Sequence, residues 1–191
     1  MDKKGKAKVA VNSACLLLHP RHTVLVSCVG RKGKPNIITL AWAMPTSISP
    51  PLVAVSISPR RHSHALIKET KEFVVNIPTM DILKETMFCG RASGRHHDKF
   101  REAGLTRLRG RKVKAPAIKE CVAHLECKLH SQIATGDHTI FVGEIIRAYA
   151  DREAFNEEGY DLKKAKMIFH LSRNKFATLA PKIFKPKFRA H

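Results

Sequence analysis

The sequence predicts a mainly β protein, an antiparallel barrel, closed or half closed, with short peripheral helices. Three observations predict it. Six or seven short runs rich in Val, Ile, Thr and Phe are mostly joined by Gly, Pro or Asn turn signals that make hairpins. Helical periodicity is confined to short segments between them. The strand–helix alternation of a doubly wound fold is missing, as is any GxGxxG or Walker-type loop.

Residues 23–29, TVLVSCV, are a β-branched run stopped by Gly30. RKGKPN supplies a turn through Gly33 and Pro35-Asn36, so IITLAWAM (37–44) returns as the second strand. PTSISPP (45–51) reads as a loop, since its prolines forbid a helix. LVAVSIS (52–58) is the third strand, with Leu52, Ala54, Ser56 and Ser58 on one face and Val53, Val55 and Ile57 on the other. SHALIKET (63–70) changes to helical period with Ser63 as its N-cap. EFVVNIP (72–78) is a fourth strand closed by Pro78, and MDILKETMFC (80–89) is helical. GRASGRHHDKFREAGL (90–105) is a loop entering a short helix near Asp98, and RLRGRKVKAPAI (107–118) reads as irregular and exposed. CVAHLECKLHSQIA (121–134) and TIFVGEIIRAYA (139–150) are two long strands joined by a Gly136-Asp137-His138 turn. A loop at 156–159 and a short segment at 161–166 lead into MIFHL (167–171). One domain, 1–171, is expected, followed by a basic C-terminal arm, 172–191, interrupted by Pro181 and Pro186.

A hydrophobic share of 43% in 191 residues is enough for a sizeable core. The five cysteines are odd in number and form no CxxC or CxxH pattern, so reduced thiols and a cytoplasmic location are expected. Cys121 and Cys127 read as packing residues on one face of a single strand. The 35 Lys and Arg against 16 Asp and Glu, with an isoelectric point near 10.1, raise nucleic acid as a partner. The cations are dispersed, however, and no aromatic residues are interleaved with them, which makes nucleic acid the minority reading. A secretory leader is not expected, because the apolar stretch after the basic first residues is broken by Asn12 and Ser13.

Within this basic chain, residues 35–59 carry no charge at all. The window is long enough for a membrane span, but Pro45, Pro50 and Pro51 and six hydroxyl residues argue against one. Its middle offers backbone N–H groups and hydroxyls between two apolar strands, a surface suited to a planar heteroaromatic ring. It ends on Ser56, Ser58, Arg60, Arg61, His62 and Ser63 at a helix start, a combination suited to phosphate. Ring site plus phosphate site, one strand apart, has the shape of a mononucleotide. An ordinary core strand with an exposed basic turn accounts for the same spacing.

The run NIITLAWAMPTSISPPLVAVSISPRRHSHALIKETKEFVVNIP (36–78) resembles the flavin reductase-like family, which includes flavoredoxins and archaeal-type ferric reductases. GDHTIFVGEI (136–145) is similar to the family's second signature, and FCGRASGRHHDKF (88–100) resembles the segment between them in the flavoredoxin-like branch. The resemblance covers most of 20–171. It implies an FMN-binding split barrel, a homodimer with FMN near the subunit interface. It implies that Met44, Pro45, Thr46 and Ser47 line the flavin ring, and that Ser56, Ser58, Arg61, His62 and Ser63 hold the phosphate and ribityl chain. Ser93, Arg95, Lys99 and Phe100 are implied as lid or partner-subunit contacts, and His138 as the catalytic residue near the ring's reactive edge. Electrons from NADH or NADPH, or from an acidic redox protein, would pass through FMN to a flavin, a ferric chelate or a protein; an electron carrier without direct NAD(P)H oxidation fits the same residues.

Other features read as ordinary. His96-His97-Asp98 lacks a third ligand at a useful spacing, so no metal is expected. Trp42 reads as core or interface, and Cys89 as a buried thiol.

Overall fold

A computed structural model describes residues 5–186 of the chain. A 3-10 helix, Val11–Leu18, precedes β1 (Arg21–His22), β2 (Val24–Val29), β3 (Pro35–Leu40), β4 (Ala43–Ser47) and β5 (Leu52–Ile57). Helix α1 (His62–Thr70) leads to β6 (Glu72–Ile77), then α2 (Leu83–Arg91) and α3 (Lys99–Glu102). Two short strands, β7 (Arg107–Leu108) and β8 (Ala117–Ile118), precede the long β9 (Ala123–Thr135) and β10 (His138–Ala150). Four short ones close the chain: β11 (Phe155–Asn156), β12 (Gly159–Tyr160), β13 (Phe169–Ser172) and β14 (Lys175–Ala177).

The main sheet has seven antiparallel strands in the order β3-β2-β6-β9-β10-β5-β4. Its two edges, β3 and β4, are consecutive in the chain and separated only by Ala41 and Trp42. Two edges joined by so short a link force the sheet to roll up. They do not pair with each other, so the barrel is split, and the split lies at Ala41-Trp42.

All six residues of β2 are buried, because both faces are covered. Val24, Val26 and Cys28 join the barrel interior with Val55, Phe73 and Phe141, whereas Leu25 packs outside with Ile37, Cys89 and Phe100 under α2 and α3. Gly143 keeps the interior tight: a Cβ there would collide with the Phe73 ring. No helix among the described residues is long and apolar enough to cross a membrane.

Four expectations are corrected. Residues 45–47 are not part of a loop but belong to the edge strand β4, where Pro45 is tolerated because an edge strand has a neighbour on one side only. The first helix starts at His62 with Arg61 as N-cap, and the Ser63 hydroxyl accepts a hydrogen bond from Asn36 Nδ2 at 2.8 Å instead of capping. Residues 113–118 are buried apart from Lys114: Val113, Ala115, Ala117 and Ile118 lie in the interior. The fully buried Glu126 carboxylate accepts the backbone N–H groups of Arg111 and Lys112, and Glu72 accepts that of Lys114, which pins the basic loop onto the sheet. Cys121 lies before β9 and packs in the outer cluster, while Cys127 packs in the barrel interior, so the two do not share a face. All five cysteines are free.

The expected boundary at Ser172 falls inside the β13–β14 hairpin, whose turn carries Arg173 at φ 47°. The last part of the expected basic arm, residues 187–191, lies outside the described residues, as do residues 1–4 at the other end.

Candidate functional site

The split positions the site. Strand β3 brings Asn36, Ile38 and Thr39 to one bank, and the end of β5 with the following residues brings Ser56, Ser58 and Arg61 to the other. Helix α2 and its C-terminal loop cover one end. A cleft of about 330 Å³ runs along the break, walled by Trp42, Ser56, Ser58, Arg61, His138 and His170. It shares Ile38, Arg61 and Gly90 with a narrower cationic recess lined by Arg60, Arg61, His62, Ser63, Arg95 and Lys99. On the outer side it shares Ala41, Trp42 and Ser56 with an apolar hollow containing Leu18, Met44 and Ile140.

Chain folding explains the recess. The two residues after β5, Ser58 and Pro59, carry the chain into Arg60 and Arg61, and α1 begins at His62 with its first N–H groups unpaired within the helix. Arg95 Nη1 donates to the Arg60 carbonyl at 3.0 Å, tying the loop after α2 to the start of α1. Lys99 is buried at 4% exposure, and its Nζ donates to the Ile37 and Cys89 carbonyls at 2.7 and 2.6 Å. An ammonium has three donors, so one N–H is left over at the recess. Burial pushes the Lys99 pKa down to about 8, with the Arg61 charge adding to the effect against the opposing pull of the Cys89 and Cys28 thiols. Burial and then the charges of Arg95, Lys34 and Lys99 lower the His62 pKa.

At the other end, the β9–β10 turn presents His138, helped by Gly136 at φ +59°. His138 Nδ1 lies 2.7 Å from Asp137 Oδ1, and the imidazole sits 4.8 Å from the Trp42 ring, with the Arg21 guanidinium on that indole at 5.4 Å. The His138 partnership holds the Asp137 carboxyl below its ordinary value.

Buried polar atoms without partners concentrate along these walls. Six side-chain atoms are in that condition among the described residues: His22 Nε2, Thr23 Oγ1, Asn36 Oδ1, Ser58 Oγ, Thr86 Oγ1 and Arg147 Nε. All but Arg147 belong to residues that line the cleft, its recess or the hollows adjoining it. Orphaned groups are rare in folded proteins, and five of these six belong to residues around the split. Asn36 and Ser58 are 3% and 7% exposed. Gly94 packs directly on Asn36, since a Cβ there would run into Asn36 Oδ1.

The sequence-predicted residues divide. Ser56, Ser58, Arg61 and His138 line the cleft, and Arg61, His62, Ser63, Ser93, Arg95 and Lys99 line the recess. Met44 reaches only the outer hollow. Pro45, Thr46 and Ser47 lie on the β4 edge away from all of these walls, and Phe100 is buried at 2% exposure in the cluster under α2 and α3. Asn36, Thr39, Trp42 and His170 are wall residues that sequence reasoning did not assign to the site. No local spacing in the sequence pairs them with the rest of the site.

A family model described as "Flavin reductase like domain" matches residues 16–175. A protein of Archaeoglobus fulgidus is 41% identical over 170 residues, spanning 88% of this chain and 94% of its own length. The crystal structure of a flavoredoxin from Methanosarcina acetivorans superimposes with a TM-score of 0.84 at 28% identity, over 95% of each chain. An NADH-dependent FAD reductase of Streptomyces globisporus is 32% identical over 123 residues, covering 60% of this chain and 63% of that one.

Proposed function

The chain belongs to the flavin reductase-like family, and on that premise we propose that it is an FMN-binding oxidoreductase whose flavin lies along the split of the barrel. The observation that carries this reading is the continuity of a cationic recess with a wider, partly aromatic cleft whose buried polar atoms lack partners. Arg61, Ser63, the spare N–H of Lys99 and the first turn of α1 are the groups that would hold the phosphate. Asn36 Oδ1 and Ser58 Oγ fit the hydroxyls of a ribityl chain, which can donate to one and share with the other. Trp42 and the apolar flank of β3 fit the ring. The bound flavin would supply hydride or single-electron transfer. The protein's part is to bind and orient it, to keep one face accessible, and to place the His138 imidazole at the cleft with Nδ1 engaged by Asp137.

NADH or NADPH is the proposed reductant, supported by the likeness to an NADH-dependent FAD reductase. The +19 charge favours anionic dinucleotides and acidic redox proteins by steering, so rates should fall as salt is added. A second reading, an electron carrier that does not itself oxidise NAD(P)H, is favoured by the flavoredoxin likeness over nearly the whole chain. A homodimer is proposed through the β4 edge, where Met44 and Ile48 stand 60% and 95% exposed beside Trp42.

The test is a visible spectrum. The purified or reconstituted protein is expected to show flavin bands that bleach on anaerobic mixing with NADH or NADPH. Bleaching only by a reduced redox protein selects the carrier. Refusal of FMN at millimolar excess sinks both.

Lys99 adds a pH dependence. Below about pH 8 its buried ammonium is charged and assists an anion; above it the proton is lost. The FMN phosphate is a dianion throughout the range above its second pKa near 6. Flavin affinity should therefore fall between pH 7 and pH 9 in the wild type and stay flat in Lys99→Met. Folding stability has the opposite sign. The folded-state pKa is depressed below the ordinary lysine value of about 10.4, so this residue's contribution grows as pH rises through 8 towards 10.4 and is lost as pH falls. Equilibrium titrations and thermal melts at the two pH values separate the effects.

A further inference from the structure

We propose that the pocket between α2 and the β13–β14 hairpin is a separate site for a small carboxylate with a flat apolar body. The pocket measures about 210 Å³. It shares Thr39, Leu40, Ala41, Gly90 and His170 with the cleft along the split, and Gly90 and Arg91 with the cationic recess, so Arg91 stands at the boundary between the two sites. Two of the orphaned hydroxyls lie in its lining, Thr23 at 1% and Thr86 at 0% exposure. A native interior leaves few such groups unpaired, so each is a hydrogen-bond partner in waiting for a ligand oxygen.

Its charge is one-sided. Arg91 at the end of α2 and Arg173 in the hairpin turn stand in the lining, no acidic residue does, and neither arginine makes an ion pair among the described residues. Arg91 Nη2 donates to the neutral Asn174 side chain, which orients the guanidinium and leaves its charge uncompensated. Guanidinium groups recognise carboxylates through two parallel hydrogen bonds. Met87 and Phe176 supply the apolar walls, and the Phe176 ring is braced by His170 at 5.3 Å. A flat apolar body between those side chains would put its carboxylate at the arginines. The site rests on the flavin reading only for the identity of its neighbour across the shared wall.

The test is calorimetric titration of full-length, flavin-free protein with benzoate, and in parallel with benzyl alcohol. Saturable benzoate binding is expected, with benzyl alcohol at least tenfold weaker, and the benzoate affinity should persist when the protein is saturated with FMN. Arg91→Gln/Arg173→Gln should lose at least tenfold in benzoate affinity. Because those changes can loosen the hairpin, Thr86→Val, which removes one buried hydroxyl without altering charge, is the second variant and should weaken benzoate several-fold. Absence of benzoate binding, equal binding of the alcohol, or displacement of benzoate by FMN overturns the proposal; displacement would assign the pocket to the flavin cleft. Benzoate binding to a protein that takes up no FMN would sink the flavin reading and leave this one standing.

Discussion

FMN held by the wild-type chain is expected to survive dialysis, and an Arg61→Ala/Ser63→Ala double variant is expected to lose it. Arg61 lines both the recess and the cleft, so it stands where a phosphate would meet the rest of the cofactor. Ser63 sits in the first turn of α1 at 1% exposure, with its hydroxyl oxygen fixed by Asn36 Nδ2 at 2.8 Å. That bond uses the oxygen as an acceptor, and a phosphate would compete with the neighbouring Cys28 thiol for the hydroxyl proton. A hydrogen bond to a charged group contributes about 1.5–3 kcal/mol, and losing two such bonds corresponds to a roughly 100-fold or greater rise in Kd. Riboflavin, which lacks the phosphate, should bind wild type and variant alike. Ser63→Ala also removes the acceptor of Asn36, so the single Arg61→Ala variant serves as the arm in which that buried pair is intact, with a loss of roughly tenfold or more. Full flavin content in the dialysed double variant would place the phosphate elsewhere.

The residues of this prediction were legible in the sequence, and it is instructive which were not. The cations ending a neutral window pointed to Arg61 and Ser63 because strand β5, the turn and helix α1 are contiguous, so neighbours in sequence are neighbours in the recess. Asn36, Trp42 and His170 come from β3, from the break after it, and from a hairpin more than a hundred residues on. Only the rolling of the sheet brings them together, and no local spacing records that. Pro45 signalled a breaker, which holds for helices and central strands, but on an edge strand its missing N–H is of no consequence. The basic run at 107–118 looked solvated because five of its side chains are cationic and exposed; its burial depends on Glu126, a distant carboxylate whose period-2 position in β9 was indistinguishable from any polar site. The barrel class itself was readable because hairpin turns such as RKGKPN fix antiparallel neighbours locally. The split was legible only through the family resemblance, since local spacing does not record which edges fail to pair.

His138→Ala is expected to slow reduction of the bound flavin by NADH or NADPH roughly 100-fold or more, the range a positioned acid–base group contributes, while FMN content stays unchanged. The geometry separates the two effects. His138 lines the cleft but not the recess, so its removal leaves the phosphate contacts intact. Its Nδ1 is engaged by Asp137 at 2.7 Å, which fixes the ring orientation and leaves Nε2 as the nitrogen free to exchange a proton or hydrogen-bond at the cleft. The Trp42 indole 4.8 Å away braces the imidazole on its other flank. A purely structural turn residue would behave differently: its loss would lower the melting temperature and leave the bleaching rate alone. His138→Gln, which keeps a hydrogen-bonding group without an acid–base function, should retain the fold and the flavin yet share most of the kinetic defect. Asp137→Asn should cost less than either, because the carboxylate stands in solvent and its pairing is screened there. Stopped-flow absorbance at the flavin band with each nicotinamide, on variants matched for flavin content, makes the comparison; bleaching in His138→Ala as fast as in wild type would leave Trp42, the cleft and the flavin in place but strip His138 of its catalytic role.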